Sequence, residues 1–214
     1  MKKFIVITLA LFTWQSSFAQ WRELYIQAGY KKVIYPLFYY SNDARSDDGY
    51  QLELNLTHFF SEKMAYSTGV AYEARKIRKD YTIVDPQPWM SYKALYNFEY
   101  IVIPLQFEFK ITDTKWNVLS MKAGFEFCGL ISKENKTYLY NGMINNNIDE
   151  HSIRKSVRNV SFGFNYRYLF WKNYFISLSP LVRFNTSANQ GVGNRLEGSP
   201  FTYVIAFASG YRFR

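Results

Sequence analysis

The chain has 214 residues, 48% of them hydrophobic and 20% aromatic, with a formal charge of +9. A mean hydropathy of −0.25 excludes a bundle of membrane helices, each of which needs a run of about 20 apolar residues. The single cysteine, Cys128, excludes an internal disulfide framework.

The N-terminus reads as a leader. Met1-Lys2-Lys3 is a short basic segment, Phe4–Trp14 is an apolar run of secretory length, and Ser17 and Ala19 are small residues before a cut at Gln20. The expectation is a signal peptide over 1–19, Sec-dependent export, and a mature domain over 20–214. Losing Lys2 and Lys3 takes the charge from +9 to about +7. A basic exported chain points to anionic headgroups or glycans as partners, and not to nucleic acid.

Beyond the leader the dominant pattern is alternation with period two, the signature of strands. Segment 24–30 sets Leu24, Ile26, Ala28 and Tyr30 on one face, and 50–60 sets Tyr50, Leu52, Leu54 and Leu56 against Gln51, Glu53, Asn55 and Thr57. Segment 65–75 alternates Tyr66, Thr68, Val70 and Tyr72 with Ser67, Gly69, Ala71 and Glu73. Segment 100–110 alternates Ile101 to Phe109 with Pro104, Gln106 and Glu108, and 119–131 alternates Leu119 to Phe127 with Lys122, Gly124, Glu126 and Cys128. Segments 160–170, 174–184 and 201–214 complete a set of eight. Each is near the 9–11 residues that cross a bilayer at a tilt.

Short connections ("FSEK", "TDTKW", "WKN") alternate with long ones over 35–49, roughly 76–98, roughly 132–158 and 187–199. That asymmetry is the pattern of short periplasmic turns and long outer loops. The predicted fold is all-β, an eight-stranded antiparallel up-and-down transmembrane β-barrel in the outer membrane.

Alternation also fits a soluble barrel with an apolar inside. Two features favour lipid outside. The non-aromatic face is rich in Gly, Ala and Ser (Gly124, Ser161, Gly163, Ser177, Ser179, Ala206, Ala208, Gly210), as a narrow lumen requires. Rings gather near strand ends (Tyr50, Phe59, Phe60, Tyr72, Trp116, Trp171 and Tyr174), as interface belts do. Pro104 and Pro180 fall inside strands that have no free edge, so each predicts a bulge or a lost ladder bond.

On this phase the lumen holds Glu108, Arg167 and Arg212 toward the short-turn end, and Glu53, Glu73, Glu126, Lys122 and Arg183 higher. Buried charges of both signs are expected to pair into a structural network. The basic segments 74–80 and 152–158 are expected at the outer rim. There Arg75, Lys76, Arg78, Lys79, Arg154, Lys155 and Arg158 are candidate contacts for lipopolysaccharide phosphates.

Catalytic chemistry has little support. His58 ends the second strand, His151 lies in the third long connection, and with Cys128 they are too scattered for a metal site. No cofactor and no catalytic residue are expected.

"YIVIPLQFEF" (Tyr100, Pro104, Leu105), "MKAGFEFCGL" and the closing "GYRF" (210–213) resemble the outer-membrane β-barrel (PorT-like) family of the Bacteroidota. The resemblance implies an envelope protein tied to protein secretion and gliding, with barrel-assembly machinery as a partner during biogenesis. The expected function is a non-enzymatic outer-membrane barrel with a packed polar lumen. It would act through its outer loops or as an accessory of an envelope or secretion complex. The alternatives are a lipid-modifying outer-membrane enzyme and a small pore.

Overall fold

A computed structural model describes residues 21–34, 44–81, 92–139, 144–145, 156–171, 173–186 and 201–213. The expected signal peptide and most of the long connections lie outside the described residues. The strands are β1 (Trp21–Ile34), β2 (Ala44–Phe59), β3 (Met64–Tyr81), β4 (Tyr92–Asp113), β5 (Asn117–Leu139), β6 (Ile144–Asn145), β7 (Ser156–Phe170), β8 (Tyr174–Asn185) and β9 (Phe201–Phe213). No helix occurs among the described residues.

All pairings are antiparallel. β6 is a two-residue stub, with Thr137 opposite Asn145 on the outer end of β5. The other eight strands form a ring that closes where β1 meets β9, from Arg22 opposite Phe213 to Ile34 opposite Phe201. Closure removes the exposed edges that would otherwise invite pairing with other chains. The molecule is an eight-stranded, antiparallel, up-and-down barrel.

The alternation in the sequence becomes an inside and an outside, because successive side chains leave a strand on opposite faces. In β7 and β8 exposed and buried positions follow one another almost without a break. The outward set is apolar and open: Phe107 is 66% exposed, Phe207 65% and Leu54 52%. The inward set is polar and closed, with Glu23, Glu73, Arg167 and Ser120 fully buried. Charges inside and aromatics outside invert the arrangement of a water-soluble protein. Hydrocarbon is the solvent that suits this exterior, and closed barrels satisfy every strand's backbone within it. The barrel is a transmembrane one.

The three short turns lie at one end. Ser61 Oγ accepts from the Met64 amide at 2.9 Å, and Thr114 Oγ1 accepts from the Asn117 amide at 3.0 Å, so side chains fix two of them. The third carries Trp171 at φ 47°, a left-handed backbone that large L-residues rarely adopt.

Both prolines cost ladder rungs, and neither makes a bulge. β3 and β4 pair at Thr68–Leu105 and again at Ala71–Val102 with unchanged register, so Gly69 lies across from Pro104 in the gap. β7 and β8 skip likewise between Gly163–Leu181 and Tyr166–Leu178, around Pro180. Each proline keeps its pairing on the other side, to Glu126 and to Ile205. The missing N–H therefore faces one neighbour only. The register shifts fall elsewhere, between Arg45 and Asp47, Glu99 and Tyr100, and Lys110 and Thr112.

The narrow lumen needs small residues at particular points. A Cβ on Gly210 would run into the Phe175 ring and the Tyr25 side chain. One on Gly163 would meet the Pro180 carbonyl and Leu181.

Candidate functional site: the lumen and its outer rim

Inward side chains fill the barrel in layers. At the short-turn end Lys110 lies 4.3 Å from the Trp21 ring centre and 4.6 Å from that of Phe59, and donates to Asp113 at 2.6 Å. These rings and the ammonium make a floor, and Phe59, expected in the outer aromatic belt, is fully buried in it.

Above it, Arg167 of β7 is the hub. Its guanidinium meets Glu108 of β4 through both terminal nitrogens, one at 2.6 Å, while Nε reaches Glu23 of β1 at 3.0 Å. Arg212 of β9 donates to Glu23 from two nitrogens, at 2.9 and 2.7 Å. The planar fork of arginine suits such two-carboxylate contacts. Lys122, expected higher, belongs to this layer: its Nζ is 3.8 Å from Glu108 and donates to the Tyr25 hydroxyl at 3.1 Å.

A neutral belt follows, in which Asn165 bonds Ser179 at 2.7 Å and Gln106 donates to Ser161 at 3.3 Å. The upper charged layer centres on Glu73 of β3, which takes Lys31, Arg75 and Arg183, the last at 3.3 Å. Arg183 also donates to Gln51 at 2.8 Å and pairs with Glu126 at 2.8 Å. The Gln51 side-chain amide donates to Glu53. An apolar cluster of Ala71, Phe98, Tyr100, Val102, Cys128 and Val157 lies toward the long-loop end. Cys128 is a free, buried thiol that accepts from Asn159 at 3.4 Å.

The structure therefore gathers Glu108, Arg167 and Arg212 in one layer and Glu53, Glu73, Glu126 and Arg183 in another. Glu23 and Lys31 are equal members of these layers that the sequence reading passed over. They were legible: both are in phase with Tyr25 and Gln27 on the inward side of β1.

The rim candidates separate. Arg75, expected to meet lipopolysaccharide at the outer rim, turns into the lumen, pairs with Glu73 and lies 5.0 Å over the Tyr100 ring. The reason is period two: Lys76 faces outward, so its neighbour faces in. Lys76 and Arg158 are exposed. Arg78 and Lys79 are on β3, opposite Leu95 and Ala94. Arg154, Lys155 and His151 lie outside the described residues. His58, near the short turns, is buried at 4% exposed, its ring 5.0 Å from that of Tyr66.

One outward row crosses five strands at the long-loop end: Lys32, Asp48, Lys76, Asn97 and Glu134, each opposite the next. Tyr30 donates to Asp48 at 2.7 Å and Asn97 to Glu134 at 3.0 Å. The Lys136 ammonium beside Glu134, with the Asn97 amide, holds that carboxyl below its usual range. Immediately toward the apolar belt lie Tyr30, Tyr50 and Tyr72, so the row marks where the belt ends.

Among the described residues no group of three or more His, Cys, Asp or Glu stands together as metal ligands. The arrangement binds itself. Arg167, Arg183 and Arg212 are engaged by carboxylates from other strands, and Arg75 by Glu73 of its own strand.

No protein-family model matches the chain, and no curated protein matches it in sequence. Among solved structures it is similar to Ail, the attachment invasion locus protein of Yersinia pestis, at 13% identity over 90% of this chain and 98% of that one, with a TM-score of 0.45. It is similar to the N-terminal β-barrel domain of Pseudomonas aeruginosa OprF at 13% identity over 89% and 97%, TM-score 0.48. It is also similar to Neisserial surface protein A at 8% identity over 89% and 95%, TM-score 0.47.

Proposed function

We propose that this chain is a non-enzymatic, non-conducting barrel of the outer membrane, with short turns in the periplasm and long connections outside. It works through its outer end, as an accessory of an envelope or secretion complex of the PorT-like kind. The observation that carries this reading is the lumen. Arg167 and Glu73 each tie three strands together through buried ion pairs, which serves rigidity and obstructs a path for solutes. What remains for function is the outer rim and the apolar wall.

The accessory role rests on the resemblance of the Tyr100–Phe109 and Met121–Leu130 strands to that family. Lipid, lipopolysaccharide and the barrel-assembly machinery are the partners the reading entails. A lipid-modifying enzyme would need acid, base and nucleophile at the outer rim, whereas His58 is buried beside Tyr66 at the opposite end.

Two measurements test the proposal. The protein in an isolated outer-membrane fraction is expected to run faster unboiled than boiled in SDS, as closed barrels do. Planar bilayers containing the refolded protein are expected to show no conductance steps. Recovery from the soluble periplasm without a gel shift overturns the membrane reading, and regular steps overturn the sealed lumen.

A further inference from the structure

At the short-turn end of the wall one basic side chain has no acidic neighbour. Arg22 is in phase with the exposed Leu24 and Ile26 on β1. It lies opposite Phe213 on one side and His58 on the other. The His58 ring is buried 5.0 Å from that of Tyr66 on the next strand. One row further in, Tyr211, Leu24 and Leu56 are opposite one another, and none carries a charge. Glu23 follows Arg22 in the chain but faces the lumen, where Arg167 takes it at 3.0 Å and Arg212 at 2.7 Å. Among the described residues no carboxylate pairs with Arg22. Lys32 and Lys76, at the other end of the wall, have Asp48 between them.

The strand sets the depth of this charge. From Arg22 to Lys32 the outward positions of β1 run about 33 Å along the strand, or about 25 Å across the membrane at a tilt of about 40°, the height of an apolar band. Lys32 marks one edge of the band and Arg22 the other, at the headgroup level of the periplasmic leaflet. That leaflet is built of glycerophospholipid, whereas lipopolysaccharide faces outward. The mount of Arg22 is rigid. Trp21 before it packs edge-on against Phe59 at 5.9 Å and lies 4.9 Å beneath the Arg212 guanidinium, and Glu23 after it is fully buried. A cation at the edge of hydrocarbon with no carboxylate is costly unless an anion meets it, and the guanidinium fork matches the paired oxygens of a phosphodiester. We propose that Arg22 holds the phosphate of a glycerophospholipid in the periplasmic leaflet, with the acyl chains lying on Leu24, Ile26 and Leu54. The site reads the phosphate and not the group beyond it, because no carboxylate stands there to take an ammonium. It rests on the reading of the apolar wall as a bilayer surface with the short turns in the periplasm.

The test is native mass spectrometry of the folded, detergent-solubilised full chain, titrated with phosphatidylethanolamine, phosphatidylglycerol and uncharged diacylglycerol of equal chain length. The two phospholipids are expected to be retained alike, each about tenfold over diacylglycerol, the ratio that one charge-assisted contact supports. Arg22→Gln should bring both to the level of diacylglycerol. Lys32→Gln, at the opposite edge of the band, should leave the preference unchanged. Soluble glycerol 3-phosphate, lacking chains, should not displace the lipid. No preference in the native chain, a preference that survives Arg22→Gln, an equal loss in Lys32→Gln, or displacement by glycerol 3-phosphate each overturns the proposal. The SDS gel shift is read on every variant. A shifted band without phospholipid preference sinks this site alone, whereas loss of the shift in the native chain sinks the bilayer reading beneath it.

Discussion

A single lumen arginine shows how costly the interior is to disturb. Arg167 is fully buried between Glu23 and Glu108. Arg167→Met would leave Glu108 with Lys122 at 3.8 Å as its remaining recorded cation. Breaking a buried network from one side costs about 3–5 kcal/mol, so the urea midpoint for refolding into micelles is expected to fall sharply. Arg75 and Lys76 make a paired control. Arg75→Ala removes an inward partner of Glu73 and should destabilise the barrel, while Lys76→Ala should stay within about 0.5 kcal/mol, as exposed substitutions do. If the two variants unfold alike, the inward and outward assignment of β3 fails. Gly210→Val places methyl groups where Phe175 and Tyr25 already stand, and should cost about 1–3 kcal/mol.

At the scale of the strand, the prolines are the informative defects. The β3–β4 and β7–β8 ladders each lose rungs without changing register. Hydrogen exchange in micelles should therefore find one amide of the Gly69–Val70 pair and one of the Phe164–Asn165 pair, the one aimed at the proline-bearing strand, less protected than the flanking residues. Uniform protection along β3 and β7 would mean the ladders are intact. Turn 171–173 offers a second case. Trp171 sits at φ 47°, and relief of a left-handed backbone is worth about 1–2 kcal/mol. Trp171→Gly should thus raise stability in detergent, unless the ring contact with Tyr174 at 6.4 Å outweighs the strain. The strand phases were readable from residues alone, since Leu52, Leu54 and Leu56 against Gln51, Glu53 and Asn55 leave one arrangement open. The bulges at Ser46, Ile111 and Ile131 were not, because an extra residue in a strand leaves no mark in local composition.

At the scale of the whole molecule, the charged layers act as a brace across the barrel. Arg167 joins β7 to β1 and β4, and Arg183 joins β8 to β3 and β5. Cross-braces between distant strands resist ovalisation of a short barrel. Strand order and closure follow from alternation and connection length, and the inside–outside division from the small residues of one face and the rings at strand ends, all of them properties of the linear chain. They are local: each strand declares its two faces through its own period of two. Which charges share a partner is a different matter. Glu73 draws Lys31 from β1 and Arg183 from β8, residues separated from it by 42 and 110 positions, and Lys122 drops to the lower layer because Tyr25 and Glu108 converge there. Likewise the alternating row of Lys32, Asp48 and Lys76 exists only once three strands are set in register. The sequence alone therefore determined a closed barrel with a charged interior, through periodicity. Only the tertiary structure decided which charges meet, because ring closure and stagger bring together side chains that no local pattern links.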